Sequence, residues 1–220
     1  MGMAMSIYCG DFDDTWVPLA IENQGMTPFN HQQMWIGYDN SNDTTITAGF
    51  YGDVLKPAIN PVHPGMIDTY LKSEGVKKCP NKPSEWQLAM AYNFFNPLLD
   101  SEYYIVNPGA KANEYGPGAM TITFTPEGFA SLTGTNDSGI QEPANTLVMW
   151  EHKAHSPACN FLQIPNWFES APLAPRLFEE HFNALHRGGT TSLWADSHAR
   201  RIVYKQLKRP MFSCRKDIYE

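Results

Sequence analysis

His186, Asp196 and His198 are the residue types of a zinc or iron site, because imidazole nitrogens and a carboxylate oxygen are the donors such cations take. The two histidines flank a predicted hairpin, and a metal-dependent hydrolase built on the three is one reading. The ordinary structural reading is stronger: His186 caps the turn entering a strand, and Asp196 bonds its own turn backbone. Ser197 between them is no nucleophile, since neighbours in a hairpin point to opposite faces and no G-x-S-x-G context surrounds it. A second group, Glu151, His152, His155 and Cys159, reads H-x2-H-x3-C directly after a strand. Its donors suit a transition metal on a helix, but Pro157 interrupts the run and zinc needs a fourth ligand. Asp11, Asp13, Thr15 and Glu22 fall at positions 1, 3, 5 and 12 of an EF-hand frame, yet Trp16 stands where Gly is required and Pro18 lies inside it. The EF-hand is excluded, leaving a solvated acidic turn that ends a helix. Trp86 and Trp167, with Tyr92, lie in irregular stretches and are the candidates for stacking on a sugar ring, the basis of a carbohydrate-binding alternative. Trp150 and Trp194 sit inside apolar strands and are expected in the core, which is also the default for Trp16 and Trp35.

The elements that would position these residues are short. Residues 3–9 read as a helix stopped by Gly10, followed by an acidic turn over 11–18. Residues 33–51 suggest two strands about a polar loop, with Thr44, Thr45, Ile46 and Thr47 in the second. Met66, Ile67, Tyr70 and Leu71 keep the stripe of a half-buried helix over 66–72. Residues 80–118 are Pro-punctuated and aromatic, an irregular insertion decorating a simpler scaffold, and 151–175 form a second one. Residues 120–124 alternate as a half-buried strand, and 129–137 run into a Gly/Asn/Ser turn cluster. Residues 146–150 are a continuous apolar run, short enough for a central strand covered on both faces. Residues 191–207 form a hairpin turning at Asp196 and Ser197, with Ile202, Tyr204 and Leu207 as its apolar positions.

At 220 residues the chain suits one domain, residues 1–220, with a core large enough to need no staples. A net charge of -7 opposes counterion-driven binding to nucleic acid and to anionic lipid. The charged share is 18% against a usual ~25%, while aromatic residues reach 13% with 17 Pro and 16 Gly, so the chain is turn-rich and no helical bundle. No apolar stretch approaches the ~18 residues of a membrane span. Cys9, Cys79, Cys159 and Cys214 contain no C-x-x-C pair, and either reduced thiols or any of three disulfide pairings fits them.

Four landmarks in order carry a resemblance to a known family. His186 and Asp196 have the spacing of a C-terminal signature with a His, nine residues, then Asp-Gly, and the segment resembles that of pseudopilin-like, prepilin-type H-X9-DG proteins of the type II secretion kind. MSIYCGDFDDTW over 5–16 resembles the end of the pilin N-terminal helix and its Asp-rich exit, YLKSEGVKKCP over 70–80 the helix with Lys-Cys-Pro, and PANTLVMW over 143–150 the strand before the signature. The chain departs from the pattern at Ser197, where the signature has Gly, so another turn type or a strained turn is expected. The resemblance implies an α+β, pilin-like head: an N-terminal helix remnant packed on an antiparallel sheet, with long irregular insertions. It further implies a non-catalytic subunit, exported to the periplasm or cell surface, that assembles with other pilin-like subunits or secretion machinery into a pseudopilus or surface filament. Membrane contact would come only through an apolar helix upstream of Met3, which the opening Met1-Gly2-Met3-Ala4-Met5 suggests has been removed. Major pseudopilins bind calcium, so Ca²⁺ at Asp11 and Asp13 is the cofactor it points to, and otherwise none. Glycans remain the other partner class. Export would permit disulfides, with Cys9 and Cys79 a candidate pair beside the helix exit.

Overall fold

A computed structural model describes residues 1–22, 32–37, 64–82, 88–93, 114–119, 121–125, 128–152 and 181–219 of the chain. Its first element, α1 (Gly2–Asp11), buries Ala4, Met5, Tyr8 and Cys9 along one side. Met3, Ile7 and Phe12 stay exposed. The expected stop at Gly10 gives way to a later exit. The Phe12 N–H donates to Tyr8 O and Cys9 O and the Asp14 N–H to Cys9 O, while Asp13 (φ 51) and Asp14 (φ 55) take the left-handed conformation that a glycine usually supplies. Aspartate accepts that region because its short carboxylate bonds locally.

The chain then forms β1 (Ala20–Glu22) and β2 (Gln32–Met34), an antiparallel pair. Residues 38–63, which include the second strand expected at Thr44, Thr45, Ile46 and Thr47, lie outside the described residues. The helix expected over 66–72 is only a 3₁₀ turn, Asp68–Tyr70. Its apolar stripe is used as foreseen, with Ile67 buried and Met66, Tyr70 and Leu71 packed on the core. The Asp68 carboxylate accepts the N–H groups of Gly37 and Gly65 and so ties the turn to the segment that follows β2. Leu71 is already extended.

A four-stranded antiparallel sheet organises the core, in the order β3 (Met90–Tyr92), β6 (Leu147–Glu151), β7 (Thr190–Trp194), β8 (Ala199–Ile202). The intervening β4 (Thr121–Thr125) and β5 (Gly128–Thr133) make a separate pair, so residues 129–133 are a strand as well as the approach to a turn. Every residue of β6 is buried, as its apolar run requires of a central strand. The scaffold is thus α+β, one N-terminal helix beside an antiparallel sheet. The 80–118 stretch is more than decoration: β3 is an edge strand of the main sheet, and Leu88, Ala89, Ala91 and Tyr92 are all core. Three residues are too few to show a period. Of the second expected insertion, Glu151 belongs to β6, His152 is buried, and 153–175 lie outside the described residues. β8 ends at Ile202 rather than Leu207, replaced by a 3₁₀ turn, Tyr204–Gln206, though Ile202 and Leu207 are buried as expected.

Aromatic packing fills the centre. Trp150 stacks on Phe182 (centroids 4.9 Å) and meets Phe212 edge-on, while Trp35 lies against Tyr92 at 5.0 Å. Trp16, Trp35, Trp150 and Trp194 are all core, and Trp16 Nε1 donates to Asp137 Oδ1 at 2.8 Å. Buried charge is paired. Arg209 grips Glu114 with two bonds (2.8 and 2.7 Å) and the Tyr219 hydroxyl donates to the same carboxylate, fastening the C-terminal segment. Lys77, 2% exposed, is satisfied by Gly37 O (3.1 Å), Asp68 Oδ2 (3.2 Å) and Glu74 Oε2 (2.7 Å). No helix among the described residues is long and apolar enough to cross a membrane.

Candidate functional site

The chemistry-bearing residues gather at the two ends of β7. At its start, Glu151 is the last residue of β6, where the apolar run gives way to a carboxylate buried to 6% exposure. Its Oε2 accepts the Thr191 N–H (3.1 Å), and its carbonyl accepts the Asn183 N–H (3.0 Å) and the Thr190 hydroxyl (3.1 Å). His186 faces it, with Nε2 2.9 Å from Oε2 and 3.1 Å from Oε1. A tight turn holds the histidine: His186 and Gly189 exchange backbone bonds, and Arg187 (φ 53) and Gly188 (φ 75) are both left-handed. Arg201 secures that turn from β8, its guanidinium donating to His186 O and Arg187 O. Cys79 completes the group from the other side of the chain. Its thiol, the Glu151 carboxylate and a His186 ring nitrogen lie within 4.8 Å of one another. Cys79 is half-buried and follows the Glu74–Lys77 turn, which the Lys77 ammonium anchors.

Beside this group, His152 Nε2 lies 3.3 Å from His181 Nδ1, and Trp150 Nε1 donates to His181 O at 3.1 Å. Glu151 and His152 are consecutive in a strand-like run, so they project to opposite sides of it. Asn183, 5% exposed, leaves its Nδ2 with no partner among the described residues. That orphan donor sits on the segment whose backbone bonds Glu151.

The far end of β7 is the hairpin tip. Ser197 N–H donates to Trp194 O (2.8 Å) and Trp194 N–H to His198 O (3.0 Å), closing a three-residue loop over 195–197. Ser197, where the resembled signature has Gly, has φ 70, so the strained turn expected from the substitution is the one used. Its hydroxyl meets Ser6 Oγ of α1 at 2.7 Å, an interaction a glycine has no group to make. Gly2 allows this approach: a Cβ there would stand 2.9 Å from Leu193 Cδ1 and 3.2 Å from Ser197 O. Asp196 accepts the His198 N–H at 3.2 Å, the turn role expected of it, and also bonds His198 Nδ1. Burial, which alone would raise its pKa, is outweighed by those His198 bonds, and the carboxyl lies below its usual value. The Trp194 indole stacks on His198 at 5.7 Å and carries the Arg200 guanidinium 3.8 Å above its centroid.

His186, Asp196 and His198 therefore do not form one cation site. The five residues of β7 separate them by about 16 Å, and each half has other partners. Asp11 accepts the Tyr70 hydroxyl at 2.8 Å, and Thr15 Oγ1 donates to Asp13 O at 3.3 Å. Neither aspartate belongs to a group of three metal-donor side chains among the described residues. His155, Cys159, Trp86 and Trp167 lie outside the described residues. Tyr92 offers no face to a sugar, being fully buried with its hydroxyl on Val17 O at 2.8 Å. The Cys9–Cys79 pair does not form: both are free thiols, as is Cys214. Cys9 is buried among α1 core residues and its thiol is pushed up to about 12 by that burial, with Asp137 and Asp14 adding to it.

By sequence, Glu151 and His186 fall in two different candidate groups, and Cys79 is only a landmark and a candidate disulfide partner. The signal is indirect: Cys79 lies in the Lys-Cys-Pro landmark, Glu151 directly follows the strand landmark that ends at Trp150, His186 opens the signature, and the fold brings the three to one point. The chain matches no family model, no curated protein and no solved structure.

Proposed function

We propose that this domain is a non-catalytic, pilin-like head that assembles with further pilin-like subunits into a type II secretion pseudopilus or a related surface filament on the exported side of the membrane. The observation that supports it is the two-sided character of α1. One side, Ala4, Met5, Tyr8 and Cys9, is buried against the head, while Met3 (76% exposed) and Ile7 (44% exposed), one turn apart, face outward. A helix with apolar groups on both sides is suited to bury one on its own domain and the other on neighbouring helices in a fibre. The order of landmarks along the chain agrees with that division of labour.

Two tests bear on it. The genomic frame ahead of Met3 is expected to encode an apolar helix preceded by a short basic leader, and a frame lacking them overturns the reading. In cells, Met3→Glu with Ile7→Glu is expected to remove the subunit from filaments while the purified head keeps its circular dichroism and melting midpoint. Unaltered assembly of that folded variant would sink the proposal.

A further inference from the structure

We propose that Cys79, Glu151 and His186 form a zinc site, a reading that stands independently of filament assembly. The three donors come from three distant parts of the chain, and their ligating atoms already lie within 4.8 Å of one another. Thiolate, carboxylate and imidazole together are a borderline-soft donor set that suits Zn²⁺ and disfavours the all-oxygen cations Ca²⁺ and Mg²⁺. Zn–S of about 2.3 Å and Zn–N or Zn–O of about 2.0–2.2 Å place tetrahedral donors about 3.3–3.6 Å apart. The His186–Glu151 pair at 2.9–3.1 Å has to open by a few tenths of an ångström, and the half-buried Cys79 thiol, within 4.8 Å of both, has to close by no more than about an ångström, within reach of a rotamer change.

Two supports fix the positions of these ligands. Glu151 is oriented by the Thr191 N–H, and the His186 turn is held through Arg201. Partners of this kind orient ligands. The Asn183 backbone N–H, bonded to Glu151 O, holds the neighbouring segment against the end of β6. Binding breaks the Cys79 S–H bond and forms S–Zn, with the proton passing to solvent and no change in oxidation state. Affinity therefore falls as pH falls.

The test titrates the reduced, metal-free 220-residue chain with Co²⁺ and then Zn²⁺. Expected is stoichiometric Co²⁺ binding with a thiolate-to-cobalt charge-transfer band and the intense visible bands of four-coordination, both displaced by Zn²⁺. Cys79→Ser should abolish the charge-transfer band. His186→Gln should weaken Zn²⁺ binding by at least the roughly 10–100-fold that even outer partners contribute. Both positions are partly exposed, so at least one variant should keep the wild-type melting midpoint, and that variant decides. Absence of the band, a band unchanged in Cys79→Ser, Zn²⁺ affinity unchanged in His186→Gln, or a band lost only in Cys159→Ser each overturns the site.

Discussion

The two ends of β7 spend similar residue types differently. At the hairpin tip, Asp196 and His198 satisfy one another at the surface, the indole of Trp194 is covered by His198 and Arg200, and Ser197 clasps the helix. At the opposite end the carboxylate of Glu151 is buried, its histidine partner is shared with a thiol from elsewhere, and a neighbouring amide is unsatisfied. The carboxylate–histidine pair of the tip closes within one hairpin, whereas the other end leaves donors converging. A carboxylate–histidine pair is thus a fastening when its neighbours are local and complete, and a candidate for chemistry when they are remote and incomplete.

Substitutions should separate the ends, the largest effect first. Trp194→Ala removes a fully buried indole at the tip and should cost about 3–5 kcal/mol, read as a fall in the urea midpoint. A loss below about 1 kcal/mol would mean that the tip does not fasten the fold. Glu151→Ala at the other end strands the half-buried Thr191 N–H and should cost about 1–3 kcal/mol, so chemical denaturation should place it between the core and the surface variants.

The helix side of the tip also has a pH signature. Cys9 contributes stability that is fully present below its ordinary pKa of 9.0 and is lost as pH rises toward about 12, because burial keeps its thiol neutral in the fold. Tyr8, pushed up to about 12 by burial, acts in the same direction. Urea midpoints should therefore fall above about pH 9 and fall less steeply in Cys9→Ala. A parallel decline in both proteins would remove Cys9 from the account. Smaller still is Ser197→Gly: relief of the left-handed serine, about 1 kcal/mol, offsets the lost Ser6 bond, and the net change should stay within about 1 kcal/mol. A double-mutant cycle with Ser6→Ala should return a coupling of about 0.5–1 kcal/mol, and zero coupling would reduce that contact to proximity. Last, Cys79→Ser should change stability by less than about 0.5 kcal/mol, since the thiol is half-buried and has no cross-link; a larger loss in calorimetry would make the second end a fastening too.

Parts of this were open to reading in the residues. Leu147, Val148, Met149 and Trp150 announced a central strand, and the hairpin showed itself through its turn and apolar positions. Asp196 also plays the turn role its chemistry suggested. The rest depends on tertiary contacts that leave no local trace. Met90, Ala91 and Tyr92 become a strand only because β6 offers them an edge, and nothing in three residues encodes that offer. The stripe at Met66, Ile67, Tyr70 and Leu71 serves a single 3₁₀ turn as well as a helix, and the pattern alone does not choose between them. For the candidate site, Glu151 and His186 could be named individually, but their meeting with Cys79 is a product of long-range closure.

Lys77 gives that closure a further consequence. Two residues before Cys79, its ammonium is fixed by acceptors from three separate places, Gly37, Asp68 and Glu74. Ordering a residue's backbone costs about 1–2 kcal/mol of conformational entropy, and here that cost falls on folding and not on any later encounter. The approach to Cys79 is pre-organised, so a small ligand arriving between the three donors meets a loop already held in register, where a free peptide of the same sequence would first have to be brought to order.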